Sequence, residues 1–187
     1  AFLFNEYIGN KYVYLPELSL RYTGQKTFQF DNSHKTIALY LGGENKEFRK
    51  YPDEYAVQLL RLLNRQGYNL LLIGDENDNI KHTQYAEEAR IDHLINLTAR
   101  TTIEGFINTI ANVDLIITID SSALHIAAAV KTPFIALMGL STSPTSTILP
   151  KVPLGRILKI ENNLIREEDY IRNITPDLIL KTISELI

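Results

Sequence analysis

One short segment of the chain places a carboxylate, two hydroxyls and an imidazole directly after an apolar run. Residues 113–119 read VDLIITI, and Asp120-Ser121-Ser122-Ala123-Leu124-His125 follows, with a helix predicted from about the alanine. Free backbone N–H groups at a helix start, helped by the helix dipole, bind phosphate without a charged side chain. Small residues let an anion approach closely, and the histidine lies in the first helical turn. A helix cap beside a surface histidine would use the same residues.

Three other strand-to-helix turns are also rich in small or polar residues. Gly42-Gly43-Glu44-Asn45 is followed by Arg49, so backbone could approach a ligand there and a cation could neutralise phosphate. Asp78, after another apolar run, could accept hydrogen bonds from ribose hydroxyls. Thr101 and its neighbour Thr102 offer a helix cap and a loop that could face a base. Taken singly, each turn also fits solvated surface charges or a simple cap.

Several familiar chemistries have no pattern in this chain. The glycines form neither a dinucleotide-binding G-x-G-x-x-G nor a P-loop, and there is no G-x-S-x-G elbow. His34, His82 and His93 have no paired acid or histidine at metal-ligand spacing, and cysteine is absent. We therefore expect neither a metal nor a cofactor.

The composition is that of an ordinary globular domain. The 187 residues are 45% hydrophobic and 22% charged, with a net charge of −3 and mixed signs, which does not suit a nucleic-acid-binding surface. No apolar run approaches the ~20 residues that span a bilayer, and no signal peptide is visible. The lack of cysteine fits a reducing compartment. The sequence does not begin with methionine, and its single methionine is Met138, so it reads as the interior or C-terminal part of a longer protein or as an N-terminally processed protein.

From Thr36 onward, strand-like apolar runs alternate with segments whose apolar residues recur at helical spacing. This alternation predicts an α/β fold with a parallel sheet covered by helices on both faces. Strands are predicted at 36–41, 69–73, 94–97, 113–119, 133–137 and 156–160, and helices at 53–66, 80–90, 102–111, 123–130 and from 176 to about 186. Residues 138–155 read as a loop.

The first 35 residues differ from the rest. Residues 1–35 are rich in tyrosine and have no clean period, so we interpret them as a linker or strap from a preceding N-terminal domain. Residues 36–187 then form the Rossmann-like, ligand-binding domain. In such a sheet, ligands bind beyond the carboxyl ends of the strands, where the four polar turns would lie.

In chain order, the four turns resemble the C-terminal domain of glycosyltransferase family 9, the ADP-heptose:lipopolysaccharide heptosyltransferases. The resemblance covers about residues 36–150. It rests on the glycine pair followed by Arg49-Lys50-Tyr51-Pro52, on Gly74 with Asp78, and on the helix start 100–104. The most specific piece is the Asp120–His125 segment, followed by three alanines, Thr132-Pro133 and Met138-Gly139.

The chain departs from the family pattern at three places. Ser122 stands where the family has glycine, Arg49 and Tyr51 replace lysine and tryptophan, and Leu140 replaces a proline. A serine can still offer its N–H and its hydroxyl if the turn does not require positive φ.

The resemblance implies the donor-binding C-terminal half of a GT-B glycosyltransferase. It implies inverting, metal-independent transfer of a sugar, with ADP-heptose as the expected donor and lipopolysaccharide core or a related glycan as acceptor. The acceptor and the catalytic base would belong to an N-terminal domain, so no catalytic residue is assigned here. A cytoplasmic location follows, with peripheral association at the inner face of the membrane. The donor-binding residues are expected to be Gly42, Gly43, Asn45, Arg49, Asp78, Thr101, Asp120, Ser121, Ser122, Ala123 and His125.

Two alternatives stay open at this point. One is another GT-B-like enzyme that acts on a UDP-sugar. The other is a degenerate, non-catalytic domain that binds a nucleotide or a protein partner.

Overall fold

The computed structural model describes residues 20–30, 33–42, 50–139, 153–159 and 167–187, in which strands and helices alternate. The strands are β1 (Thr36–Tyr40), β2 (Asn69–Leu72), β3 (Leu94–Asn96), β4 (Leu115–Ile119), β5 (Phe134–Leu137) and β6 (Gly155–Leu158). The α-helices in this part of the chain are α1 (Asp53–Arg65), α2 (Asn79–Ala89), α3 (Ile103–Ala111), α4 (Ser122–Val130) and α5 (Pro176–Ile183). Short 3₁₀ segments lie at Glu76–Asp78 and Glu167–Asn173.

The strands form one parallel sheet in the order β3-β2-β1-β4-β5-β6. This confirms the predicted α/β, Rossmann-like class. The chain moves outward from β1 to β3 and then returns to place β4 beside β1. Successive connections therefore leave β1 and β4 in opposite directions, which makes the gap between their carboxyl ends the switch point of the sheet.

Each face of the sheet is buried by its own helices. Ile37 and Leu39 of β1 belong to an apolar cluster with residues of α1, α2 and α5. Ala38, which points to the opposite face, belongs to a second cluster with residues of α3 and α4. Because both faces are covered, the inner strands are mostly apolar and do not alternate regularly with polar residues.

Gly155 corrects one boundary of the sequence analysis. The predicted loop 138–155 included this glycine, but it is the first residue of β6, where it pairs with Phe134 of β5. A Cβ at this position would overlap the Phe134 ring. The glycine therefore marks a close approach of backbone to side chain and not a turn. Residues 140–152 of the predicted loop, and Ile160 of the predicted last strand, lie outside the described residues.

The described part of the N-terminal region lies along α3. The N–H of Gly24 donates to Asn108 Oδ1 at 3.0 Å, and Asn108 Nδ2 donates to Thr23 Oγ1 at 2.9 Å. Asn108 is only 3% exposed, so these bonds satisfy a buried amide. The assignment of 1–35 to a linker or strap, and of 36–187 to one domain, stays a prediction, since 1–19 and 31–32 lie outside the described residues.

Tyr51 connects the chain just before α1 to the C-terminal segment. Its side chain is fully buried, and its hydroxyl donates to the Ile174 carbonyl at 2.9 Å. Burial, reinforced by nearby Tyr55 and Asp177, raises the pKa of Tyr51 far above its usual range, so the hydroxyl remains a donor. Its backbone N–H donates to the Leu41 carbonyl just beyond β1.

His82 lies beneath the loops that follow β2 and β3. It is fully buried, and its Nδ1 is 2.7 Å from the Thr98 hydroxyl. Its Nε2 has no hydrogen-bond partner among the described residues. Burial lowers the pKa of His82 to about 4, against the opposing charge of Asp75. The imidazole is therefore neutral in the folded protein at pH 7.

Tyr51→Phe should lower the free energy of unfolding by about 1–2 kcal/mol, because the buried Ile174 carbonyl loses its donor. Urea denaturation at pH 7 measures this loss. Tyr55→Phe is the matched control, since the structure gives the Tyr55 hydroxyl no hydrogen bond within the described residues, and it should change stability little. Equal stabilities for the two variants would contradict the assigned bond.

The neutral His82 should make stability fall as the pH drops from 6.5 towards 4. In that window the unfolded chain binds a proton and the folded chain does not, so acid favours unfolding, by about 3 kcal/mol over the full window. His82→Gln should flatten this part of the pH–stability curve, whereas His93→Gln, at an exposed position, should not. A curve for His82→Gln parallel to that of the unsubstituted protein would refute the assignment.

Candidate functional site

The structure brings the described turns to one edge of the sheet. Gly42 follows β1, Asp78 follows β2, Thr101 follows β3, and the segment Asp120–His125 follows β4. All four strands are parallel, so their carboxyl ends lie side by side. The turns after β1 and β4 flank the switch point. This is the crevice in which ligands of such sheets bind.

The turn after β4 is held by a chain of hydrogen bonds. Ser121 is the N-cap of α4, and its Oγ accepts from the Ala123 N–H at 3.2 Å. The same Oγ lies 2.9 Å from the Thr118 Oγ1, and the Thr118 hydroxyl donates to the Ile119 carbonyl at 2.9 Å. Ser121 thus caps the helix, as in the alternative interpretation of this turn, and a buried threonine of the strand supports it.

Ser122 fits this turn without backbone strain. It is the first residue of α4, and it is not among the described non-glycine residues with positive φ, which are Arg90, Ala99 and Lys131. The preceding cap, Ser121, is extended, with φ −148° and ψ 171°. A glycine is therefore not required at position 122 for conformational reasons. The side chain of Ser122 is exposed at the surface of the turn.

Several groups of this turn face outward. The Ser122 N–H has no hydrogen bond within the described part of the chain, whereas the N–H groups of Ala123 and Leu124 are bonded to Ser121. Asp120 is half-buried, and His125 is exposed in the first turn of α4. The turn thus presents an N–H, a hydroxyl and an imidazole to solvent at the positive end of a helix.

Asp78 is buried between two glycines of neighbouring loops. It is 4% exposed, and a Cβ on Gly42 would overlap its carboxyl group. A Cβ on Gly74 would lie 2.8 Å from Asp78 Oδ2 and 3.3 Å from His82 Cε1. Asp78 also forms a capping box with Asp75 at the short 3₁₀ segment. In this structure the carboxyl joins the loops after β1 and β2 instead of lying open on the surface.

Thr101 and its neighbours form the loop between β3 and α3. Thr102 is the N-cap of α3, with its Oγ1 accepting from the Gly105 N–H at 3.1 Å, so the predicted threonine cap is confirmed. Thr101 is half-buried beside it. Ala99 adopts φ 59° and donates its N–H to the Gly74 carbonyl, which ties this loop to the loop after β2.

Three predicted donor-binding residues, Gly43, Asn45 and Arg49, lie outside the described residues, as does Leu140. Of the described ones, Gly42, Asp120, Ser121, Ser122, Ala123 and His125 lie around the switch point, while Asp78 and Thr101 lie beyond it towards β3.

Two residues that shape this edge, Thr118 and Gly74, are not among the donor-binding residues expected from the sequence. Thr118 is the one polar residue in the run Leu115–Ile119. Its contact with the Ser121 hydroxyl explains why a polar residue stands at this buried position. Gly74 ends an apolar run, and its missing side chain leaves room for Asp78 and His82. The polar residue within an apolar run and the glycine at the end of another are both visible in the sequence. The sequence does not show which residues Thr118 and Gly74 contact.

The opposite edge of the sheet carries a separate, open cavity of about 840 Å³. It lies between segment 26–36 and the residues before β4, with Lys26, Lys35 and Asp114 in its wall. Asp114 there accepts from the Thr36 N–H at 2.8 Å.

Among the described residues, no three His, Cys, Asp or Glu side chains are grouped to hold a metal ion. No helix in that part of the chain is long and apolar enough to cross a bilayer.

Comparison with known proteins gives a consistent result. A lipooligosaccharide heptosyltransferase 2 from Haemophilus influenzae is 31% identical over 158 residues, which is 78% of this chain and 45% of that protein. The structure of the E. coli ADP-heptose lipopolysaccharide heptosyltransferase II matches with a TM-score of 0.72 at 23% identity, over 83% of this chain and 47% of that one. The E. coli heptosyltransferase WaaC with ADP matches with a TM-score of 0.69 at 16% identity, over 82% and 45%.

The chain thus spans about half the length of the relatives it matches. The two solved structures, both below 25% identity, establish the fold of that half. The sequence profile of the family described as glycosyltransferase family 9 (heptosyltransferase) matches residues 2–168, most of the chain. With its parallel sheet and the polar turns at its switch point, this chain belongs to glycosyltransferase family 9.

Proposed function

We propose that this chain is the donor-binding half of an inverting glycosyltransferase that transfers heptose from ADP-heptose. The observation that carries the proposal is the start of α4 at the switch point, where Ser122 has an exposed hydroxyl and an N–H with no hydrogen bond to any described residue. An ADP diphosphate suits this position because backbone N–H groups and the helix dipole stabilise anions without a counter-cation. The similar WaaC structure contains ADP, which supports the same choice of nucleotide.

The distribution of acidic residues supports an anion at α4. The first turn of α4 has no acid. By contrast, α1, α3 and α5 each have at least one acid in the first turn, and α2 continues directly from an acidic 3₁₀ segment. These acids are Asp53 and Glu54, Glu104, Asp177, and Glu76 with Asp78. In α1, α3 and α5 a carboxylate in the first turn stabilises the N-terminal partial charge, whereas α2 and α4 have an acid only before the first turn, which in α4 is Asp120. The first turn of α4 itself therefore has room for the anion of a ligand.

In the proposed reaction, the domain stabilises the leaving ADP. As the bond from the anomeric carbon to the diphosphate breaks, negative charge grows on the diphosphate oxygens. The N-terminus of α4 already faces them, and Arg49 would add a cation. A general base must take the proton of the acceptor hydroxyl, and we assign that base and the acceptor site to the N-terminal domain.

The acceptor proposed for the whole enzyme is lipopolysaccharide core or a related glycan. We place the reaction in the cytoplasm, at the inner face of the membrane. The relatives' names supply the acceptor class. Because the base and the acceptor site would belong to the other half, the 187-residue chain should bind nucleotide but transfer sugar very slowly. Rapid sugar transfer by this chain alone would overturn the assignment of the base and the acceptor site to the N-terminal domain.

Nucleotide binding by this chain should be selective for ADP. At about 100 times its Kd, ADP should add about 2.7 kcal/mol of stability and raise the melting temperature by about 5–10 °C. UDP and GDP at the same concentration should give smaller shifts. Ser122→Asp should remove the ADP shift, because a carboxylate would occupy the anion position while suiting the helix start.

Asn64→Asp is the charge-matched control for this experiment. It adds the same charge at an exposed position near the far end of α1, at the opposite edge of the sheet, and should keep the ADP shift. A larger shift with UDP would favour the GT-B-like UDP-sugar alternative. No shift with any nucleotide would favour a non-catalytic domain, and a shift retained in Ser122→Asp would remove the turn after β4 from the site.

A further inference from the structure

We infer that Thr118 is a positioning residue for the diphosphate: it holds the Ser121 hydroxyl inward so that the N–H and hydroxyl of Ser122 face the ligand. The inference rests on the proposed function, and it assigns different tasks to two adjacent serines. Thr118 lies inside β4, is fully buried and would not itself touch the donor.

The Thr118 hydroxyl has one proton and two neighbours, the Ile119 carbonyl and the Ser121 hydroxyl, each at 2.9 Å. The carbonyl can only accept, whereas either hydroxyl could donate in the Thr118–Ser121 contact. We therefore assign the Thr118 proton to the carbonyl and the donor role in that contact to Ser121. Ser121 Oγ meanwhile accepts from the Ala123 N–H. The Ser121 proton is thus committed to the protein interior.

A diphosphate needs donors, since its oxygens carry no proton to give near neutral pH. The Ser121 hydroxyl faces Thr118, and the Ala123 N–H is bonded to the Ser121 Oγ. The Ser122 N–H and hydroxyl remain at the turn, and Ser122 is exposed. The serine that departs from the family pattern is therefore the one that adds a donor.

Thr118 is suited to this role by its place in the sheet. Its neighbours on the adjacent strands are Tyr40 of β1 and Ala136 of β5, so the threonine stands at the centre of the sheet near its carboxyl edge. Its surroundings are apolar and packed, which holds its rotamer. A hydroxyl fixed in this way makes the turn rigid before the ligand arrives, and preorganised donors bind more tightly than mobile ones.

The test compares Thr118→Val, which keeps the shape and removes the hydroxyl, with Thr118→Ser, which keeps the hydroxyl. Calorimetry with ADP and with adenosine separates the phosphate contribution from that of the base and ribose. Thr118→Val should weaken ADP binding about tenfold and leave adenosine unchanged, and Thr118→Ser should keep ADP affinity within about twofold. A general structural defect in Thr118→Val would instead weaken the binding of both ADP and adenosine.

A double-mutant cycle with Ser121→Ala completes the test. If Thr118 acts through the Ser121 hydroxyl, adding Thr118→Val to Ser121→Ala should cause no further loss of ADP affinity. If Thr118→Val does not fold, Ser121→Ala alone should still weaken ADP binding and spare adenosine. Unchanged or tighter ADP binding in Thr118→Val, or in Ser121→Ala if the valine variant does not fold, would overturn the inference. No ADP binding by the unsubstituted chain would instead overturn the proposed function.

Discussion

A parallel sheet buried on both faces leaves no place for polar chemistry except at the strand ends, and this constraint governs the rest of the structure. The strands β1 and β4 lie side by side and point the same way, so the turns that follow them meet at one edge. Apolar residues along the strands pack the two helical layers. Ligand-facing groups are therefore confined to a few residues just beyond the carboxyl ends.

Much of the architecture could be predicted from the sequence because its signals are local. Apart from Thr118, the run Leu115–Ile119 is apolar on both faces of the strand, as expected in a sheet covered by helices on both sides. Thr175 and Pro176 mark the start of α5 by cap and ring geometry, and the structure places the helix there. Gly155 falls within the predicted loop because residues 138–155 contain three prolines and a cluster of serines and threonines. The reason for the glycine itself, the ring of Phe134, is contributed by another strand.

Side-chain direction could not be predicted in the same way. Asp78 and Asp120 both follow apolar strands, so the sequence suggests similar roles for them. The fold buries the first against two glycines and leaves the second half-exposed beside Ser121. Likewise, Ser121 and Ser122 are chemically identical, and only the fold brings Thr118 within hydrogen-bonding distance of Ser121. These differences depend on contacts between residues that come together only in the folded sheet.

The packing of Asp78 against Gly42 and Gly74 limits the order in which this edge of the protein can evolve. A side chain at either glycine would collide with the carboxyl group, so such a change is harmful while the aspartate is present. If a smaller residue replaced the aspartate first, the same change could become neutral. The three positions are therefore epistatic: the effect of a substitution at one of them depends on which residues already occupy the other two.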